Sequence, residues 1–401
     1  MKLEKYENLL NPANTKIIML ILDGLGGLPR EPGGKTELET AHTPNLDSLA
    51  EKSSLGLTIP IATGITPGSG PAHLALFGYD PLENEIGRGA MEALGIDFDM
   101  GPDDLAARGN YCTVDEEGLI IDRRAGRIDT QINQELSNLL AKIELDGAEI
   151  FIKPIKEHRF AFILRSSGLQ DSLTETDPQK IGVKPPAVRS LQPDSEKAAR
   201  LLNRFIHRAS LLLEDKHPAN MILLRGFTKL PILSSFQMRY GLKAAAIAIN
   251  GMYRGVARLV GMQVLQVPGQ TLQDEIIALE NNWNNFDFFY IHIKKTDTLG
   301  ELGDFNGKVI AIEEVDTYLP RILALKPDVL VIGGDHSSPA VMKSHSWHPV
   351  PLLLYSPYSR PNGLKGFGER ICSRGSLGIF PATQLMPLVL ANAQRLVKYG
   401  A

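Results

Sequence analysis

The sequence predicts an α/β fold: a mostly parallel sheet flanked by helices, interrupted by a smaller inserted α+β domain. Three observations carry this. Apolar runs without polar alternation recur at residues 17–22 and 329–332, as strands buried on both faces require. Helical stretches separate these runs, and strands alternating with helices imply parallel pairing. Between about residues 101 and 216 the rhythm breaks, and strand-like pieces, polar turns and clustered arginines take over. The expected division is a discontinuous main domain, 1–100 with 217–401, and an insert, 101–216.

Composition narrows the class. The 401 residues are 43% hydrophobic and 22% charged, enough for a sizeable core in two or three domains. A net charge of −4 provides no basic field for nucleic acid, so the arginines need a local explanation. Two cysteines, Cys112 and Cys372, argue against a disulfide framework and for a reducing compartment. The segment Met1-Lys2-Leu3-Glu4-Lys5 lacks the apolar core of a signal peptide, and no apolar run reaches bilayer length. A cytoplasmic protein with neither membrane nor nucleic-acid partner is the expectation.

In chain order, the run Ile17–Leu22 ends at Asp23-Gly24, and ligands of open α/β sheets bind beyond the carboxyl ends of strands. Taken alone, Asp23-Gly24 reads equally as a turn. Thr43 before Pro44 reads as a helix start. Ser69 lies between glycines before a helix expected from about Pro71, where a serine serves as cap or as phosphate acceptor. In the middle region, Phe160–Leu164 reads as a strand and Ser195 to about Glu214 as an amphipathic helix. Met221–Leu224 and the run from Lys243 to Ile249 are read as a return to the main sheet. A strand over 286–293 leads to Asp297, with Glu301 and Asp304 following in a Gly-punctuated loop. A helix from about Gly307 to Leu325 precedes the run Val329–Ile332, which ends in Gly333-Gly334-Asp335-His336. Adjacent Asp and His at a strand end suit a divalent metal, and His345 and His348 follow closely. Pro351–Tyr355 reads as the next strand.

Several of these stretches together resemble the archaeal-type cofactor-independent phosphoglycerate mutases of the alkaline phosphatase superfamily. They are Asp23, the loop from Pro67 to His73, Gly78-Tyr79-Asp80-Pro81, Gly87-Arg88-Gly89, the stretch from Ile121 to Arg127, and Glu157-His158-Arg159. The likeness continues in Thr174–Pro178, Tyr240–Ala245, Thr296-Asp297 through Phe305, Gly334-Asp335-His336 and the tail Lys398–Ala401. It runs nearly end to end. The resemblance implies a metal-binding catalytic domain and an insert that helps hold the substrate. One divalent ion would be held by Asp23, Ser69, Asp335 and His336, the other by Asp297, Glu301 and His345. Ser69 would take the phosphoryl group of 3-phosphoglycerate and return it to the 2-hydroxyl, giving 2-phosphoglycerate. Lys243 would orient the substrate. Arg123, Arg124, Arg127, His158 and Arg159 would bind this small phosphorylated acid, whose anionic groups match guanidinium forks.

Two departures from the resembled pattern stand out. Glu301 takes the place of a histidine, and this harder ligand favours manganese, or magnesium, over zinc. Gly70-Pro71 replaces Asp-Thr. Competing readings share the nucleophile and metals but change the acceptor: a small-alcohol kinase acting on homoserine, or a phosphatase. A non-catalytic metal-binding protein is disfavoured, because every expected ligand type is retained.

Overall fold

The computed structural model describes residues 7–230 and 232–400; the N-terminal pentapeptide and Ala401 discussed above lie outside them. Thirteen strands occur among the described residues. They are β1 (Ile17–Leu22), β2 (Ser54–Ile59), β3 (Asp104–Val114), β4 (Ile120–Asp122), β5 (Glu149–Lys156), β6 (Arg159–Arg165) and β7 (Met221–Lys229). Then come β8 (Ala244–Ala248), β9 (Gln263–Val264), β10 (Phe288–Ile293), β11 (Val329–Gly333), β12 (Val350–Tyr355) and β13 (Gly378–Pro381). Two compact units hold them: Met1–Glu85 with Leu233–Ala401, and Ile86–Ile232.

The first unit is built on an eight-stranded sheet in the order β13-β2-β12-β11-β1-β10-β8-β9. Only β12 runs antiparallel to its neighbours, so the sheet is mostly parallel, as the uninterrupted apolar runs require. All six residues of β1 are buried. Ile18, Leu20 and Leu22 pack in one cluster with Ile312, Val315, Leu319 and Ile322 of the helix Phe305–Ala324. Each such side chain contributes about 1.5–3 kcal/mol by leaving water.

The second unit carries a five-stranded antiparallel sheet, β4-β3-β6-β5 with β7 on β3. One face presents Leu105, Ala107, Tyr111, Phe160, Phe162 and Leu164 to Leu201, Leu202 and Phe205 of the helix Glu196–Leu213. Gly109 sits on this face because a Cβ there would lie 2.1 Å from the Phe160 ring.

Some sequence expectations need correction. Met221–Leu224 does not rejoin the main sheet; it belongs to β7, antiparallel to β3. Four apolar residues announce a buried strand but not its neighbour. The units consequently divide at 85/86 and 232/233, wider than the insert drawn at 101–216. The helix expected from Pro71 begins at Ser69, with Gly68 as its N-cap.

Candidate metal centre

Strand register assembles the site. β1 pairs parallel with both β10 and β11, matching Leu22 to Ile293 and Ile21 to Gly333. One and two residues onward, Asp23, Lys294 and Asp335 stand level beyond three adjacent strand ends. Asp297 follows within the first turn of the helix Lys295–Leu302. Gly24 makes the turn after β1 at φ +64, and a Cβ there would meet Ser338 Oγ at 2.7 Å.

Two groups of ligating atoms converge: Asp23 with Asp335 and His336, and Asp297 with His336 and His345. His336 Nε2 lies 3.2 Å from Asp23 Oδ1, 3.3 Å from Asp335 Oδ2, 3.9 Å from Asp297 Oδ1 and 3.1 Å from Ser69 Oγ. The tautomer follows from the network. Ser338 Oγ donates to Asp297 Oδ1 at 2.5 Å, so it must accept from His336 Nδ1–H at 3.2 Å. That leaves a lone pair on Nε2, facing the carboxylates and able to accept the Ser69 hydroxyl proton. His345 repeats the device: Nδ1–H donates to the Pro67 carbonyl at 2.9 Å, and Nε2 faces Asp297 at 3.4 Å and Glu301 at 3.6 Å. The His336 and His345 rings stack at 3.7 Å.

Charge in the cluster is unbalanced. Asp23, Asp297 and Asp335 are all essentially inaccessible to solvent. Asp23 Oδ1 and Asp335 Oδ2 are buried with no hydrogen-bond partner among the described atoms. Burial pushes the Asp23 carboxyl up, but its neighbours His292, His336 and Lys294 hold it well below its usual range. Asp297 is likewise depressed, with burial opposed by His345 and Lys294. Burial lowers the His345 imidazolium, yet Asp297 and the Pro67 carbonyl lift it to about 9. Buried carboxylate oxygens without donors among the described atoms, beside imidazole nitrogens that become ligands when a cation displaces their protons, suit divalent cations, and the residues present fit two of them.

Ser69 is the first residue of an eight-residue helix and is 8% exposed. His73, one turn on, donates Nδ1–H to the Ser69 carbonyl at 2.8 Å and lies 3.2 Å from Asp335 Oδ2. Glu301 stands at the rim beside His345, half exposed and outside both ligand groups. His348 bonds Ser346 and joins neither group.

Lys243 needs correction. It immediately precedes β8, its amide donates to Asp287 just before β10, and its ammonium lies over the Phe286 ring. It therefore sits at the strand ends opposite the candidate ligands, level with Asp287 and so about 23 Å from the level of Lys294 and Asp23 at ~3.3 Å per residue. The lysine at the site is Lys294, whose Nζ donates to Asp23 Oδ2 at 3.0 Å, Asp297 Oδ2 at 2.5 Å and Tyr253 Oη at 3.0 Å. His292 donates to the same Asp23 oxygen at 3.0 Å, and Tyr253 stacks on its ring. Sequence reasoning assigned no role to Lys294, His292, Tyr253, His73 or Ser338. Strand pairing reveals the first two, because Lys294 lies level with Asp23 only across β1 and β10.

In the second unit, the sheet face away from its core bears Arg108, Asn110, Arg159 and Arg225. Arg108 Nε and Arg159 Nε are buried without partners among the described atoms. Burial, with Arg88, Arg159 and Arg225 nearby and only Glu92 opposing, pushes the Arg108 guanidinium down to about 10. His158 is pushed to about 4 by burial and then by Arg159 and Arg108, so it is neutral at pH 7. Arg124 and Arg127 are exposed. Arg123 is committed elsewhere: its Nε and Nη2 grip Asp177, at 2.9 and 2.7 Å.

Sheet, ligand clusters and helix-borne serine define an α/β protein with a divalent-metal site at its strand ends. A family model for 2,3-bisphosphoglycerate-independent phosphoglycerate mutase matches residues 50–220. A probable 2,3-bisphosphoglycerate-independent phosphoglycerate mutase of Aquifex aeolicus is 49% identical, covering 100% of both chains. One from Thermus thermophilus is 51% identical over 96% of each. Among solved structures, a Pyrococcus horikoshii protein superposes with a TM-score of 0.81 at 31% identity, covering 96% of this chain and 99% of its own. The cofactor-independent phosphoglycerate mutase of Thermoplasma acidophilum gives 0.75 at 29%, covering 94% and 100%. The chain belongs to the family of 2,3-bisphosphoglycerate-independent phosphoglycerate mutases.

Proposed function

We propose that this chain interconverts 3-phosphoglycerate and 2-phosphoglycerate through a phosphoserine at Ser69, with two divalent ions and no bisphosphoglycerate. Beyond family membership, one observation carries the reading: Ser69 Oγ, at a helix N-terminus, lies 3.1 Å from His336 Nε2, beside two buried carboxylate oxygens, Asp23 Oδ1 and Asp335 Oδ2, without a hydrogen-bond partner among the described atoms. Asp23, Ser69, Asp335 and His336 would hold one ion; Asp297 and His345, with Glu301 at the rim, the other. When bound, the ions lower the pKa of the serine hydroxyl and neutralise charge on the phosphoryl group. Mostly carboxylate ligation supports manganese or magnesium over zinc.

The chain's own groups do the rest. Ser69 Oγ gives up its proton to solvent and bonds to phosphorus, while the phosphorus–oxygen bond to the 3-oxygen breaks and that oxygen departs with the electron pair and takes up a proton as a hydroxyl of glycerate. The helix N-terminus favours the anion that forms. Glycerate then turns, and its 2-hydroxyl displaces Ser69. Arg108, Arg159, Arg124 and Arg127 are proposed to receive the acid's anionic groups, with neutral His158 as a donor. Arg123 braces through Asp177. Buried free cysteines support a reducing, cytoplasmic setting. Among the described residues no helix is long and apolar enough to cross a membrane.

The test is an assay of manganese-loaded protein on 3-phosphoglycerate without ATP or bisphosphoglycerate, with acid quench and mass spectrometry. The expected results are 2-phosphoglycerate, a phosphate on Ser69, activity abolished by chelation, and none in Ser69→Ala. ATP-dependent phosphorylation of homoserine without mutase activity would overturn the proposal.

A further inference from the structure

We propose that Lys308 is a positioning residue for the metal centre: its buried ammonium ties the loop after β1 to the loop after β11 and sets both before any metal arrives. This rests on the reading of those loops as metal-bearing.

Lys308 projects from the helix Phe305–Ala324 and is fully buried. Its Nζ donates to three backbone carbonyls, Gly24 at 2.8 Å, Gly26 at 3.0 Å and Ser338 at 2.9 Å. An ammonium has three protons, so all are used. Gly24 follows Asp23 directly. Ser338 lies two residues beyond His336, and its hydroxyl bonds both Asp297 and His336. One amine thus reaches the backbone of both ligand-bearing loops.

A second observation is independent. Glu37, also fully buried, accepts from the Leu28 amide at 3.1 Å and the Ala340 amide at 2.7 Å, bridging the same two loops. The loops give carbonyls to a cation and amides to an anion. They also touch directly, with the Ser338 amide on the Gly26 carbonyl at 3.0 Å and the Gly24 amide on Asp335 Oδ1 at 3.0 Å. Among the described residues no carboxylate forms an ion pair with Lys308. A buried ammonium without a direct counter-ion is costly to desolvate. Apolar residues fill the neighbouring inward positions of this helix, Ala311 and Ile312. The charge is therefore explained by what it orders, and removing it leaves three carbonyls unsatisfied beside the ligands.

The experiment titrates chelator-stripped full chain with Mn2+ by equilibrium dialysis, comparing wild type, Lys308→Met and a core control, Leu319→Ala. Lys308→Met is expected to weaken Mn2+ binding about tenfold or more. Leu319→Ala should lose stability yet keep affinity within about twofold, because its cavity lies away from the loops. Wild-type affinity in a folded Lys308→Met overturns the inference while leaving the metal reading intact. A wild-type chain that takes up no Mn2+ overturns the metal reading, and this inference with it. If Lys308→Met does not fold, hydrogen exchange on the metal-free wild type decides. Protected amides at 24–28 and 337–340 support the inference; free exchange there until Mn2+ is added sinks it.

Discussion

At the residue scale the decisive feature is how each carboxylate divides its oxygens. Asp23 and Asp297 turn Oδ1 toward the histidine nitrogens and give Oδ2 to Lys294. Lys294 is thus the fixed positive charge spanning both ligand groups. Lys294→Met should lower the stability of chelator-stripped protein by roughly 3 kcal/mol, the low end for a broken buried pair because the lysine is partly exposed. The loss should shrink once manganese supplies the missing charge; equal losses with and without metal, in thermal melts, would refute the bridging role. Lys243→Ala should leave turnover within about twofold, since ~23 Å of strand rise separates it from the candidate ligands. Glu301 bears on metal choice. Glu301→His should raise zinc-supported relative to manganese-supported activity, because imidazole suits zinc better; an unchanged ratio would show that Glu301 stays at the rim. The pair Asp335-His336, which the structure places in a cluster able to hold a cation, could be singled out in the sequence because the two side chains are adjacent at an apolar strand end. Lys294 could not, since its partners lie 271 and 3 residues away and only register unites them.

At the scale of elements, the sequence disclosed strands of the parallel sheet and their carboxyl ends, because strands buried on both faces leave an unbroken apolar signature. It did not disclose which sheet β7 joins, since pairing partners are set by packing rather than by the run itself. Helix ends shifted by a few residues where capping chemistry competes, as at Gly68 and Ser69. One helix carries a burial that the apolar pattern conceals. Glu275, in the helix Leu272–Asn282, is 3% exposed and accepts from the Ile249 amide just past β8. Burial pushes its carboxyl up to about 9, with Asp274 adding to the rise. The folded state therefore keeps a proton that the unfolded chain releases near pH 4.5. Between those values the native state binds more protons, so stability is highest at the acidic end and falls as pH rises, by up to about 1.4 kcal/mol per unit. Glu275→Gln should remove that slope and be the more stable form at pH 8. Melting curves for the two proteins that stay parallel from pH 5 to 8 would refute the assignment.

At the scale of the whole molecule, the two units differ in chemistry as well as architecture. The first gathers buried carboxylates and imidazoles at the ends of parallel strands. The second sets guanidinium groups on one face of an antiparallel sheet whose other face is its core. Those arginines have some partners: Arg225 meets Glu175 at 3.3 Å and Asp177 at 3.5 Å, and Arg108 lies 3.7 Å from Glu92. Among the described atoms Arg159 and Arg108 nevertheless keep buried Nε groups unpaired, which is costly unless an anion completes them. A mutase must also hold glycerate while phosphate rests on the serine, because water reaching that phosphoserine would release inorganic phosphate instead. Anchoring glycerate's carboxylate is the arginines' proposed contribution. Arg159→Ala and Arg108→Ala should each raise KM for 3-phosphoglycerate about tenfold, the worth of one charge-assisted contact. They should also raise the ratio of free phosphate to 2-phosphoglycerate, since weakly held glycerate escapes before the second transfer. Phosphate release and mutase turnover measured on the same samples separate the alternatives. A rising ratio marks the arginines as glycerate anchors, whereas a fall of both activities in strict proportion would reduce them to supports of the fold.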